Sequence, residues 1–251
     1  MPRLIVRPPS PALADGELTH LDRVPVDAAL ATAQWTAYVG VFRERGWDVH
    51  ELPRADEHPD GVFVEDAVVV FDDLAVLTRP GAASRRGEQA TVAPALDGLG
   101  LTVARLGQGS LDGGDVLKIG RTVYVGRGGR TDDAGIAALR TLLAPRGLTV
   151  VSVPVTRVLH LKSAVTALPD GTVVGHLPLV DAPATFPAFL PVPEPEGNAV
   201  VVLDEGTVLM SASAPRTAAL FRDRGLEVVT TPVTELEKLE GCVTCLSVRV
   251  R

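Results

Sequence analysis

The chain has 251 residues and carries 24 Lys plus Arg against 31 Asp plus Glu, a formal net charge of −7. At 46% hydrophobic and 22% charged residues it is too apolar for a disordered chain, and its acidic balance argues against nucleic-acid binding, which needs a basic face. Two cysteines cannot build a disulfide scaffold, and the excess of acids suits a cationic small-molecule partner as well as ordinary solubility.

The first ten residues hold an apolar run of only three, Leu4-Ile5-Val6, which is too short for a signal-peptide core. No stretch approaches the roughly 18 apolar residues of a membrane span. A soluble, cytoplasmic chain with reduced thiols is the expectation. Residues 4–6 read as a strand, 27–45 as a helix and 47–52 as a strand. A hairpin follows, 68–71 and 74–77 around Asp72-Asp73, then a helix over 84–99 and a strand over 101–106. The pattern repeats as hairpin 116–119 and 122–125 around Gly120-Arg121, helix 131–146 and strand 148–153. A third hairpin turns at Pro169-Asp170-Gly171 and leads into a Pro-rich surface excursion over 178–197. A fourth turns at Asp204-Glu205-Gly206, with helix 215–224 and strand 226–230 behind it. Ser84 and Thr131 are expected to cap their helices.

The unit is therefore strand–strand–helix–strand with turns near residues 72, 120, 170 and 205. A fixed period of about fifty residues points to radial repeats. The last strand-like run, 246–250, can pair with 4–6, supply a fifth unit and close the ring. The expectation is one closed α/β domain over residues 1–251.

Several residues are candidates for chemistry. Cys242-Val243-Thr244-Cys245 has redox spacing, but a strand-like run follows it where a thioredoxin-like site has a helix. No second Cys/His pair completes a structural zinc site. Cys245 is then either a buried core thiol or a nucleophile, and the second requires a base and an acid to converge on it. His160, in the apolar run Val158-Leu159-His160-Leu161, reads as structural or catalytic. Asp60, Glu65 and Asp66 flank a short apolar segment. Asp112 and Asp115 flank Gly113-Gly114, where the backbone can approach a ligand closely; Asp115 itself reads best as a turn residue. Arg85 and Arg130 stand near helix starts, against the helix dipole, where an arginine can grip a carboxylate by two hydrogen bonds.

In this order, Phe63-Val64-Glu65-Asp66, Arg79-Pro80-Gly81-Ala82, Ser84-Arg85-Arg86-Gly87-Glu88, Leu111-Asp112-Gly113-Gly114-Asp115, Arg130-Thr131, Leu159-His160-Leu161-Lys162-Ser163 and Thr244-Cys245-Leu246-Ser247 resemble the dimethylarginine dimethylaminohydrolases of the guanidino-modifying (amidinotransferase) superfamily over essentially the whole chain. The resemblance implies a five-bladed α/β propeller with approximate fivefold symmetry. It implies hydrolysis of Nω-methylated arginine to citrulline and a methylamine, with no organic cofactor and no metal. By motif position Cys245 is the nucleophile, His160 the general acid/base and Asp112 its acid. Asp66 holds the guanidinium, with Glu65 beside it. Arg85 and Arg130 grip the α-carboxylate, Asp60 and the Leu18 carbonyl hold the α-amino end, and Leu239 adds a backbone contact. Asn198 matches a family amide. Asp132 stands where the family often has Asn, leaving a role at the substrate's α-end or as a helix cap. Cys242 reads as a bystander of Cys245. The rival readings are a sibling hydrolase of unmethylated arginine, such as an arginine deiminase, and a non-catalytic methylarginine binder. The expected partner is a small cationic amino acid, with a homodimer allowed by an exposed blade face.

Overall fold

The computed structural model describes residues 1–251. Fifteen strands form five three-stranded sheets. Named from the inside outwards, blade I holds Val248–Val250, Arg3–Val6 and Asp48–Glu51, and blade II Val68–Phe71, Leu74–Leu77 and Thr102–Arg105. Blade III holds Val116–Ile119, Thr122–Arg127 and Thr149–Pro154, and blade IV Val165–Ala167, Val173–Gly175 and Phe189–Pro191. Blade V holds Val200–Val202, Thr207–Ser211 and Glu227–Thr231. In every blade the inner and middle strands are antiparallel, and the middle and outer strands are parallel. A hairpin suffices for the first pairing, whereas the second needs a crossover. Helices Ala28–Glu44, Gln89–Asp97, Asp133–Leu143 and Pro215–Asp223 supply it in four blades.

The ring closes as the sequence pattern predicts. Ile5 lies opposite Val248 and Arg3 opposite Val250, so the two chain ends share blade I and leave no unpaired inner strand. Five hydrophobic clusters fill the five joints between neighbouring blades, the largest joining blade I to blade V through Tyr38, Phe42, Trp47 and Leu209. The burial patterns follow from this packing. Val68–Phe71 is buried at every position, because an inner strand is covered on both faces. The outer strand Asp48–Glu51 is exposed or half-buried throughout. Asp72 (φ 53°) and Gly120 (φ 55°) take the left-handed backbone that tight hairpins need, Asp and Gly being suited to it.

Three local expectations are corrected. Thr131 does not cap its helix. Its hydroxyl donates to Asp115 and receives the Asp112 amide, and Asp132 is the cap instead, accepting from Gly135 N at 2.7 Å. Ser84 does not cap either, because its hydroxyl is drawn to Glu17 across the molecule. The Pro-rich stretch is not a plain excursion: Phe189–Pro191 within it is the outer strand of blade IV, reached by short 3-10 turns where the other blades use a helix.

Candidate active site

The repeat decides where the chemistry-bearing residues go. Each inner strand is entered from a short helical turn: Val64–Asp66, Gly113–Asp115, Leu161–Ala164, Pro195–Asn198 and the turn around residues 242–246. Fivefold arrangement of the strands carries these turns to one end of the axis, where neighbouring turns touch. Asp66, Asp112, His160, Asn198 and Cys245 are thus the same structural position in five successive blades, give or take a residue or two.

A cavity of about 10 Å³ opens there, the room of one water molecule. Asp60, Asp66, Arg85, Arg130, His160, Leu239 and Cys245 line it, together with Glu17, Phe63, Leu159, Glu240 and Gly241. The nucleophile candidate Cys245 is 5% exposed, His160 2% and Asp112 0%. His160 Nε2 lies 2.9 Å from Asp112 Oδ2, and its Nδ1 lies 3.8 Å from Asp66 Oδ1. Asp112 in turn accepts the Gly81 amide at 2.8 Å. Asp66 accepts Gly114 N at 2.8 Å and Arg85 Nη1 at 2.6 Å. Burial alone would lower the histidine pKa, but the Asp66 charge, the Asp112 hydrogen bond and Asp115 outweigh it and raise it to about 9. Burial pushes Asp66 the other way from its partners, yet the His160 and Arg85 charges win and hold it below the usual carboxylate range.

Gly113 and Gly114 explain how four polar groups fit so closely. A Cβ on Gly114 would lie 2.6 Å from His160 Nδ1 and 2.7 Å from Asp66 Oδ1, and one on Gly113 would lie 2.0 Å from the Glu65 carbonyl. The close approach read from the paired glycines is therefore to the protein's own His160 and Asp66 side chains and to the Glu65 backbone. Asp115 is more than a turn residue: it is buried, accepts the Thr131 hydroxyl and the Leu161 amide, and so ties the His160 turn to blade III. Its burial raises its pKa to about 6. The ligand atoms of Asp66, Asp112 and His160 lie within 4.8 Å of one another, a spacing a metal ion could use, but they are already engaged with each other, Arg85 and Gly114.

The remaining predicted residues divide. Arg130 reaches Glu17 at 3.1 Å and Thr19 at 3.3 Å. Asp60 accepts the Glu17 amide at 3.1 Å. Glu240, held at φ 58°, takes the Thr19 and His20 amides at 2.8 and 2.6 Å. The segment around Leu18 is thereby latched over the cavity, a closure to which Glu17 and Glu240 contribute and which no sequence signal marked. Leu18 itself packs on the core between blades I and V rather than lining the cavity. Arg85 is buried and turned inward, donating to Asp66, to Glu88 at 2.8 and 2.9 Å, and to the Asp60 and Phe63 carbonyls. Glu65 does not line the cavity. Successive residues of its turn point apart, and it pairs with Lys162 at 2.7 Å and Arg249 at 2.5 Å on the other side. Asn198 stitches blades, donating to the Ser163 carbonyl at 3.0 Å and accepting the His176 amide at 2.5 Å. Asp132 is a helix cap.

A five-bladed α/β propeller with a buried cysteine, a charged histidine and a row of carboxylates at one end of its axis places the molecule among the guanidino-modifying enzymes of the amidinotransferase superfamily. No family model matches the chain. It is 58% identical, over 99% of its length and 97% of the relative's, to the N(G),N(G)-dimethylarginine dimethylaminohydrolase of Streptomyces coelicolor. It superposes on the Pseudomonas aeruginosa dimethylarginine dimethylaminohydrolase, solved as a cysteine-to-serine variant complexed with citrulline, with a TM-score of 0.90, 30% identity and 98% of both chains covered. A histidine-to-glycine dimethylarginine dimethylaminohydrolase solved as an adduct with S-methyl-L-thiocitrulline matches with the same TM-score, identity and coverage. The chain belongs to the dimethylarginine dimethylaminohydrolase family.

Proposed function

We propose that this protein hydrolyses Nω-methylated L-arginine to citrulline and a methylamine, with residues 1–251 acting as one catalytic domain. The observation that carries the reading is the cavity that Cys245 shares with Asp66 and with His160, itself paired with Asp112, in a chain that is 58% identical to a dimethylarginine dimethylaminohydrolase.

A guanidinium is a resonance-stabilised cation and a poor electrophile. Asp66 is the carboxylate suited to hold and localise it by charge-assisted hydrogen bonds. The Cys242 hydrogen bond, burial and the charges of Glu65 and Asp66 together hold the Cys245 thiol above its ordinary pKa, so the resting cysteine is protonated. An arriving cation offsets those acids and favours loss of the thiol proton to solvent, which leaves the thiolate. Attack of Cys245 Sγ on the guanidinium carbon forms a tetrahedral adduct. His160, protonated at neutral pH, gives its proton to the departing methylamine and leaves an S-alkylthiouronium. The neutral imidazole then takes a proton from water, which attacks the same carbon, and citrulline departs as the thiol re-forms. Asp112 holds the imidazole in place throughout. At the other end of the substrate, its α-carboxylate exchanges for Glu17 on Arg130, and Asp60, freed from the Glu17 amide, takes the α-amino group. Arg85 acts by bracing Asp66 against Glu88. No helix is long and apolar enough to cross a membrane, and a cytoplasmic setting keeps the nucleophile reduced.

The test is a panel of asymmetric dimethylarginine, monomethylarginine and arginine, each incubated separately with citrulline and the released amine both identified. Citrulline with dimethylamine or methylamine supports the assignment. Citrulline and ammonia from arginine alone would make the protein a deiminase, and saturable binding without product would make it a binder.

A further inference from the structure

Cys242 touches the nucleophile but makes and breaks no bond in the proposed hydrolysis. Its Sγ lies 3.4 Å from Cys245 Sγ, in hydrogen-bonding contact, and 3.3 Å from Thr244 Oγ1. The Cys245 amide donates to the Cys242 carbonyl at 3.1 Å. That is the i to i+3 bond of a β-turn, which keeps its end Cα atoms within about 7 Å. Disulfides span the same range of Cα separations, so the two sulfurs can join without moving the backbone far. Cys242 is half-buried whereas Cys245 is buried, which makes it the thiol that meets a dissolved reagent first.

We propose that Cys242 and Cys245 form a reversible thiol-modification site for hydroperoxides, in which Cys242 takes the oxygen and a disulfide to Cys245 stores the oxidation. The proposal rests on Cys245 being the nucleophile only for its effect on turnover. In the first step the Cys242 thiolate attacks hydrogen peroxide; the O–O bond breaks, hydroxide leaves and Cys242 becomes a sulfenic acid. In the second step the Cys245 sulfur attacks the Cys242 sulfur. The S–O bond breaks, the hydroxyl leaves as water with the proton of the Cys245 thiol, and the disulfide forms. Two electrons pass from the two sulfurs to one peroxide. A dithiol reverses the product by exchange.

The first step needs a thiolate at neutral pH, and the pair is arranged to supply one. A hydrogen bond from the Cys245 thiol stabilises the Cys242 thiolate against the cost of burial, with Thr244 adding a second, and brings Cys242 to about 7. The charges of Glu65 and Asp66 act on Cys245, which keeps the shared proton. The site thus separates the thiol that senses from the thiol that reacts with substrate, though they touch. The consequence is protective: a sulfur held in a disulfide cannot proceed to sulfinic or sulfonic acid.

The experiment treats the intact protein and its Cys242→Ala variant with hydrogen peroxide. Disulfide content is read by mass spectrometry of unreduced peptides, and turnover is read before and after dithiothreitol. The wild type should lose turnover with formation of the Cys242–Cys245 disulfide and regain most of it on reduction. Cys242→Ala, read against its own untreated rate, should lose turnover to sulfinic and sulfonic acid at Cys245 with little recovery on reduction. Loss of wild-type turnover without the disulfide, or equal recovery in the variant, overturns the proposal and leaves the nucleophile standing. A disulfide that forms while turnover persists supports the modification site and instead removes Cys245 from catalysis.

Discussion

The two ends of the propeller axis are built from the same five inner strands and differ in nearly every physical respect. At the cavity end the strands begin, and the turns before them place Asp66, His160 and Cys245 around about 10 Å³ of space, with Asp112 buried against His160. Beyond, the inner strands Val68–Phe71, Val116–Ile119, Val200–Val202 and Val248–Val250 and their neighbours line a channel of about 410 Å³ that holds Lys118, Lys162, Arg249 and Arg251 against Glu65 and Asp72. The charge bias is opposite. At one end buried acids raise a histidine to about 9. At the other, burial and the charges of Arg249 and Lys162 bring Lys118 down to about 8. Glu65 and Asp66 are adjacent in the chain and belong to different ends, Asp66 to the cavity and Glu65 to the channel. The partition shows how one turn of backbone can separate two surroundings: Asp66 borders the cavity beside Cys245, and Glu65 pairs with Lys162 and Arg249 at the channel.

The comparison can be broken at either end. The largest effect is expected for Cys245→Ser, which should fold normally and lose turnover by on the order of 10⁴-fold, since the covalent route goes with the thiol. Product formation near the wild-type rate in a pure sample would remove Cys245 from the mechanism. At the channel end, Glu65→Gln leaves Lys162 and Arg249 without their carboxylate. Chemical denaturation should show a loss of about 3–5 kcal/mol with KM unchanged. A raised KM at unchanged stability would instead return Glu65 to substrate binding.

Asp112→Asn probes the proton relay, with kcat expected to fall about 10²-fold. The wild-type rate should decline on the alkaline side as His160 deprotonates near 9, and the decline should begin at lower pH in the variant, because one of the interactions raising that pKa is gone. The same shift predicts stability. A histidine raised from 6.5 to about 9 stabilises the folded state fully below pH 6.5, and this contribution is lost as pH rises through 9. A denaturation series across pH 6.5–9.5 at constant salt measures it. The smallest effect is expected at the latch: Glu17→Gln weakens the closed pairing with Arg130, itself a partly exposed contact, and KM should fall by a few-fold at most. A several-fold rise in KM would show that Glu17 contacts substrate rather than giving way to it.

Much of this was legible from the chain alone, and its limits are instructive. The repeat was visible because an inner strand reads as an unbroken apolar run and its hairpin turn as Asp-Asp or Gly-Arg, both purely local signals. The first, third and last helices follow the expected bounds within about three residues at either end for the same reason. The misplaced caps had a different origin. Thr131 is a suitable cap by type, but Asp115 and the Asp112 amide claim its side chain from another part of the fold. Asp115 has no local signature, because a carboxylate beside two glycines reads like any turn, whereas its Leu161 amide partner lies 46 positions away. The latch formed by Glu17, Glu240 and Arg130 joins residues more than a hundred positions apart and has no local signature.

By itself the sequence determined the blade repeat, the closure of the ring by the two chain ends and the residue types available for chemistry, because periodicity and composition act over a few neighbouring residues. Only the tertiary structure decided which acid faces which end of the axis, which hydroxyl caps and which orients, and that Cys242 rests against Cys245. Those outcomes depend on contacts between turns of different blades, where two adjacent side chains such as Glu65 and Asp66 meet opposite electrostatic surroundings.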